Sequence, residues 1–494
     1  MTTIVAPPVT LSMEEYRRDW QPHGWQLLII GPTATWRQEW GEWEAIRDIV
    51  QNALDAAEEY QWYYDDQGLV IADHGSGIQI ADFLLGPPKL KPPHARGKFG
   101  EGMKIAALVL LRAGYPVKVD TVDREIWMVF LEQKTNGHAN SLSALWRPNG
   151  TGTGTRFHII GYRGSAFEDR FAVNIPKSSI IHEGPSKLAD PIRRYNQLIS
   201  YPAGRIYARD IYLKDIDSPW SYNLWSFDMA PDRHGPASEG DMHVDMGRLW
   251  CTVTDVDLLE QFLTMVTAPP ATTTYESRNV ALDAWSMGSV PGTDRRYYAL
   301  IADNASFWQE AWQRIFGNNA VIRTSDRWDG TVKHLGYYSV SVAWNCEAAL
   351  RQAINYDVSL VQESQERLRE VEVVPDERLT PRQLAHLELS REIAGKWHYP
   401  GVAAVHAAII PPASDRMRTA GLYQMSTREI FIATDQLERA STTVDTVVHE
   451  IAHHISEAED GQPGHYTQMT AVAARVVELT AAGYFDDLLK EAVW

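Results

Sequence analysis

Apolar and polar positions alternate along this chain in two distinct periods, and the period changes mark its elements. Residues 26–36 are largely apolar and read as a strand. Over 43–60, Ile46, Ile49, Val50, Ala53, Leu54 and Ala57 recur at three- and four-residue intervals, the signature of a helix with one buried face. Val70-Ile71-Ala72 is a short buried-strand candidate that ends at Asp73. Residues 78–96, rich in proline and polar groups, suit a mobile loop. An apolar helix is expected over 103–113, then strands over 116–132, 141–147 and 155–160. Helices placed over a largely antiparallel sheet make this region α+β.

Beyond residue 200 the periods are mixed. Residues 205–213 are strand-like, while 254–267 and 305–316 carry helical spacing. The charged stretch 360–382 reads as a helix ending in a linker at Pro375 and Pro381. A helix over 383–397, strands over 403–410 and 420–432, and a helix over 442–456 complete the chain. Residues 420–433 read as a hairpin.

Composition narrows the classes. The 494 residues predict two to four domains, and 44% apolar with 22% charged content is that of a globular protein able to build several cores. The formal charge of −18 disfavours broad binding to nucleic acid or anionic lipid. Two cysteines far apart imply no disulfide framework and fit a reducing compartment. With no signal-peptide pattern at the start and no apolar run approaching the roughly 20 residues of a membrane span, a cytoplasmic location is expected. The 18 tryptophans read as buried core residues.

Two sets of chemistry-bearing residues lie at opposite ends. In the first, Asp48, Asn52 and Asp55 fall at i, i+4 and i+7, so one helical face presents a carboxylate, an amide and a second carboxylate. An asparagine beside phosphates can complete the oxygen coordination of Mg²⁺. Asp73 ends a strand and is followed by Gly75 and Gly77, which let a ligand approach the backbone; its carboxylate can accept a hydrogen bond from an exocyclic amine such as that of adenine. Gly97, Gly100 and Gly102 precede a helix whose first amides can hold phosphate oxygens.

In order and spacing, this set resembles the GHKL ATPases over about residues 25–165. Asp48 to Asp55 matches their N box, Asp73-His-Gly75-Ser-Gly77 the first glycine box, Gly97 to Gly102 the second, and Gly152-Thr153-Gly154-Thr155 the later Gly-Thr strand, whose threonine supports the adenine-binding aspartate. The resemblance implies a Bergerat-type sandwich that binds ATP and Mg²⁺. Asn52 would hold magnesium, Asp73 read adenine, Thr153 support the pocket, and Lys98 and Lys104 contact phosphates, with 78–96 as the ATP lid. Dimerisation through this domain is a family habit. The family's hydrolysing members carry glutamate where this chain has Asp48, one methylene shorter, so ATP binding is expected more firmly than fast turnover.

At the other end, His449-Glu450-Ile-Ala-His453 puts two imidazoles four apart on one helical face, where they can share a zinc ion beside Glu450 as base for a water. A third ligand must come from Glu457, Glu459, Asp460 or His465; His465, delivered by a Gly-Gln-Pro-Gly turn, is preferred, with Asp460 next. His454 points off the metal face and is read as supporting or structural. Residues 375–494 resemble the SprT-like minimal zincins, in which a third histidine follows a turn and begins another helix. That similarity implies peptide-bond hydrolysis.

The expected organisation is therefore α+β and multidomain: an ATP-binding domain over 1–170, a middle α/β coupling domain over 171–370 and a zincin-like α+β domain over 371–494. The expected function is a zinc metallopeptidase acting on a peptide or protein and regulated by nucleotide. The alternative is a non-proteolytic ATP-gated chaperone or clamp with structural zinc. A DNA-processing clamp fits the acidity less well.

Overall fold

The computed structural model describes residues 6–57, 59–84, 96, 101–132, 140–149, 152–164, 167–185, 195–230, 235–269, 273–282, 296–397, 401–458, 460 and 462–494. The fold is mixed α and β. Its contacts divide the chain into two compact units, Met1–Leu249 with Ser289–Asp294, and Trp250–Gly288 with Arg295–Trp494. The segment 171–370 is thus shared between them: 171–249 belongs to the first unit and most of the remainder to the second.

The first unit holds β1 (Thr10–Leu11), β2 (Gln26–Thr33), β3 (Tyr60–Tyr64), β4 (Gly68–Asp73), β5 (Val117–Thr121), β6 (Arg124–Leu131), β7 (Ser141–Pro148) and β8 (Thr155–Ile160). They form one sheet in the order β2-β7-β6-β5-β8-β4-β3, antiparallel throughout, while β1 runs parallel to the end of β6. Strand β6 shows how sequence sets the layers. Ile126, Met128 and Phe130 face the helices Glu42–Ala56 and Gly102–Arg112, whereas Trp127 and Val129 face a smaller cluster with Leu11, Tyr16 and Trp25. Both faces are apolar because both are covered. The expected helical stripe Ile46, Ile49, Val50, Ala53 and Leu54 is fully buried, each larger member contributing roughly 1.5–3 kcal/mol by burial. That helix stops at Ala56, since Ala57 is already extended.

A second sheet in this unit comprises β9 (Ile180–Pro185), β10 (Tyr195–Ile199), β11 (Arg205–Ala208), β12 (Ile211–Asp215) and β13 (Ser221–Leu224), ordered β12-β11-β13-β10-β9. Asp245 of the helix Glu239–Trp250 ties it together, accepting from the Asn196 side chain at 2.9 Å and the Ser226 N–H at 2.9 Å.

In the second unit, helices Val256–Val266 and Ala305–Phe316 pack around Trp250, Phe262 and Trp308, which accounts for part of the tryptophan content as core. Strands β14 (Ala320–Ile322) and β15 (Tyr338–Val340) pair in parallel. The last sheet contains β16 (Glu372–Val374), β17 (Ala404–Ile409), β18 (Gly421–Gln424) and β19 (Glu429–Ala433) in the order β16-β17-β19-β18. Helices Pro381–Ala394, Ala440–Ser456 and Pro463–Ala481 share one apolar core with it. Strand β16 falls within the stretch 360–382 expected to be a helix ending in a linker; its two valines gain a ladder with β17 that a three-residue pattern does not announce. The expected hairpin is β18-β19, with Arg428 in the left-handed region at φ 57°. Among the described residues no helix is long and apolar enough to cross a membrane.

Candidate functional site

The helix Ala440–Ser456 is apolar on the side that holds Val447, Val448 and Ile451, and this face seats it on the last sheet. Helical spacing then turns His449, Glu450 and His453 toward β18 and a cleft of about 460 Å³. Glu457 ends the helix in the left-handed region at φ 51°, donating its N–H to the His453 carbonyl at 3.0 Å. This exposed cap reverses the chain and sends Asp460 back toward the histidines. Pro463 occupies the first turn of the next helix, which buries His465 to 1% exposure against the same cluster.

His449, His453, Asp460 and His465 each offer a donor atom, and these atoms lie within 4.8 Å of one another. His449 Nε2 and His453 Nε2 are 3.2 Å apart, and Asp460 Oδ1 is 3.1 Å from the former and 3.3 Å from the latter. Zinc with bonds near 2.0–2.1 Å in a tetrahedron needs donors about 3.3 Å apart. Three edges fit; the fourth measured one, His465 Nδ1 to Asp460 Oδ1, is wider at 3.9 Å. His465 Nδ1 is buried without a hydrogen-bond partner among the described residues, an atom that a metal bond would satisfy. The His453 Nδ1–H donates to the Ala458 carbonyl at 2.8 Å, which turns Nε2 toward the cluster as the nitrogen available to a metal.

The electrostatics match a cation site. Burial works against a charged Asp460, yet hydrogen bonds from His449 and His453 hold its carboxyl far below the usual range. Burial likewise opposes a charged His453, but Asp460 raises it to about 9. In His465 burial, followed by the charges of His453 and His449, favours the neutral ring. Asp460 favours the charged form of His449 and His453, and a dication among them would instead favour neutral rings as donors.

Glu450 is buried to 4% exposure, and burial pushes its carboxyl up to about 7. The neighbouring Tyr423 backbone amide acts weakly the other way, favouring the charged carboxylate. Strand β18 comes this close because of Gly421: a Cβ there would sit 2.7 Å from Glu450 Oε1 and 2.6 Å from Thr446 Cγ2. The Tyr423 hydroxyl meets His454 Nδ1 at 2.8 Å, so His454 ties strand to helix away from the cluster. Leu335, Val361 and Leu368 also line the cleft.

In the first unit, Asp73 ends β4 with 9% exposure, and burial raises its carboxyl pKa. Its Oδ1 accepts the Gly75 N–H at 2.8 Å. Gly75 lies against the end of the Glu42–Ala56 helix, where a Cβ would come 2.8 Å from the Ala56 carbonyl. Gly77 takes φ 79°, and Thr121 Oγ1 holds the loop through the Ile78 N–H at 3.0 Å. The threonine paired with Asp73 is Thr155 of β8; Thr153 is exposed in the preceding turn. Asn52 is half-buried and donates to the Asp48 carbonyl at 2.7 Å. Asp48 is fully buried beside Arg47, with Nε 3.2 Å from Oδ1.

Asp55 is engaged by Arg96, accepting its backbone N–H at 3.0 Å and lying 3.5 Å from its Nη1. Arg96 also pairs with Asp210, donates to the Leu54 and Arg209 carbonyls and covers Trp225. Gly102 begins the Gly102–Arg112 helix, and Lys104, buried, donates to the Leu84 carbonyl at 2.5 Å. Gly97, Lys98, Gly100, Glu459 and residues 85–95 of the expected lid lie outside the described residues. Sequence reasoning missed Arg96, Thr121, Tyr423 and His334, whose Nε2 lies 3.1 Å from Asp460 Oδ2. None sits in a local motif that could have flagged it. Comparison with family models and with curated proteins returns no match to this chain.

Proposed function

We propose that this chain is a zinc metallopeptidase carrying a GHKL-like ATP-binding domain, whose nucleotide state regulates peptide-bond hydrolysis. The convergence of three imidazoles and a carboxylate beside the buried Glu450 carries this reading. His449, His453 and His465 would hold the zinc ion, and Asp460 has an oxygen at a further corner. When bound, zinc supplies a Lewis acid for the scissile carbonyl and lowers the pKa of a water. Glu450 takes the proton of the attacking water on its carboxylate and delivers it to the leaving amine. The close approach of β18 at Gly421 confines that carboxylate. Strand β18, last in its sheet, offers backbone groups along the cleft for an extended peptide.

On the nucleotide side, support comes from Asp73 at the end of a buried strand, the glycines that follow, and Asn52 on the helix against which Gly75 packs. ATP with Mg²⁺ is the cofactor this arrangement would take, with Asp73 as the adenine acceptor. Turnover is expected to be slow: Asp48 is enclosed beside Arg47. A second reading, a non-proteolytic clamp with structural zinc, is favoured by one observation, the Asp460 oxygen that brings the protein donors to four. Cleavage of a denatured protein and a peptide library by wild type and Glu450→Gln, with and without a non-hydrolysable ATP analogue, separates the two. The peptidase reading expects cleavage by wild type, its loss in the variant and a rate change with the analogue. Absence of cleavage in every arm would leave the clamp.

A further inference from the structure

Asp460 faces two ways. Its Oδ1 stands at an edge length of 3.1 and 3.3 Å from the nitrogens of His449 and His453, which is the separation between two ligands of one zinc, not between a ligand and the metal. Its Oδ2 lies 3.1 Å from Nε2 of His334, the last residue of the helix Asp329–His334. A carboxylate supplying one oxygen to a metal and the other to an imidazole N–H is a common arrangement for fixing a ligand's orientation. Here both His334 and Asp460 line the cleft beside Glu450. The corner that a catalytic site reserves for water is the one this oxygen takes.

We infer that Asp460 is the fourth protein ligand of the resting metal centre and that His334 is the positioning residue that holds it there. The inference rests on the zinc-site reading above and adds a closed state to it. With four protein donors the centre has the coordination of a structural site; hydrolysis then requires Asp460 to swing off its corner so that water can enter. Glu450 is already in place, buried against Gly421 of β18, so displacement of one carboxylate is what separates the closed site from a competent one. His334 tunes that step from outside the HExxH segment, through a bond to the oxygen that does not face the donors.

The test uses the full chain with Co²⁺ in place of zinc, together with zinc affinity measured against a chelating dye. Wild type should give the intense visible bands of four-coordinate cobalt. Asp460→Ala should keep one metal per chain, weaken zinc binding about 10-fold or more, and shift the spectrum toward a water-containing centre; cleavage of short peptides at saturating zinc should rise. His334→Ala should weaken zinc binding by about 10- to 100-fold, the usual effect of losing such a partner. His334→Gln, which still offers an N–H, should recover most of that loss, whereas His334→Leu, which fills the space without an N–H, should not; a role in packing alone would be restored by both. An unchanged spectrum and affinity in Asp460→Ala overturn the inference while leaving the three-histidine site intact. Failure of wild type to bind cobalt at all overturns the zinc reading itself, and the closed state with it.

Discussion

Asp73 carries opposing demands. Burial raises its pKa, so its charge costs the folded protein stability at neutral pH, and that cost falls away as pH drops through the folded value. Asp73→Asn keeps an oxygen for the Gly75 N–H but removes the charge. It should raise the melting temperature of the ligand-free protein and weaken ATP binding by about 1.5–3 kcal/mol, the range for a charged hydrogen bond. Thermal melts and nucleotide titration on the same preparation check both; unchanged ATP affinity contradicts the assignment. The opposite sign holds at Asp120 and Glu125. Burial would raise both, but hydrogen bonds from His158 and Asn149 and the charges of Lys118 and Arg147 keep them low. Their stabilisation is complete above the unfolded values of about 4 and is lost as pH falls through the folded ones. Glu125→Gln should therefore flatten the acid limb of a stability-against-pH curve. At this scale the convergence of His449 and His453 was legible from helical spacing, and the place of Asp73 at the end of a buried strand from its apolar neighbours. Thr153 was expected beside Asp73, whereas the register of β8 on β4, which no local pattern reveals, sets Thr155 there. His334 was invisible, being brought to Asp460 by tertiary folding alone.

Among the elements, β18 bears most directly on chemistry. Gly421 admits it to within reach of Glu450 and Thr446, and any added Cβ meets both. Gly421→Ala should displace the strand, costing about 1–3 kcal/mol as overpacking does, and abolish cleavage while zinc content stays at the wild-type level. Peptidase rates beside metal analysis test this; full activity in the variant would detach Glu450 from the strand. The long periodic elements were readable, including the Glu42–Ala56 helix, the strands β5 to β8 and the β18-β19 hairpin, because one buried face fixes their period. Strand β16 was hidden by its length and by Pro375 beside it, and it exists through its ladder with β17.

For the whole molecule, the two compact units place the proposed sites in different parts of the chain: Asp73 and Asn52 in the first, the His and Asp cluster in the second. The proposed ligands of the two sites share no residue, so the chain stripped of metal should still bind ATP. Chelation should lower the stability of the second unit by the linkage amount, about 2.7 kcal/mol where free zinc stood at 100 times its Kd. The most direct measurement is the zinc content of the purified full chain, after equilibration with zinc and removal of excess, for wild type and for His449→Ala, His453→Ala and His465→Ala. The expected result is one zinc per chain in wild type and close to none in each variant. Full occupancy in His449→Ala, or a wild-type chain that retains no zinc, would contradict a metal centre built on these histidines.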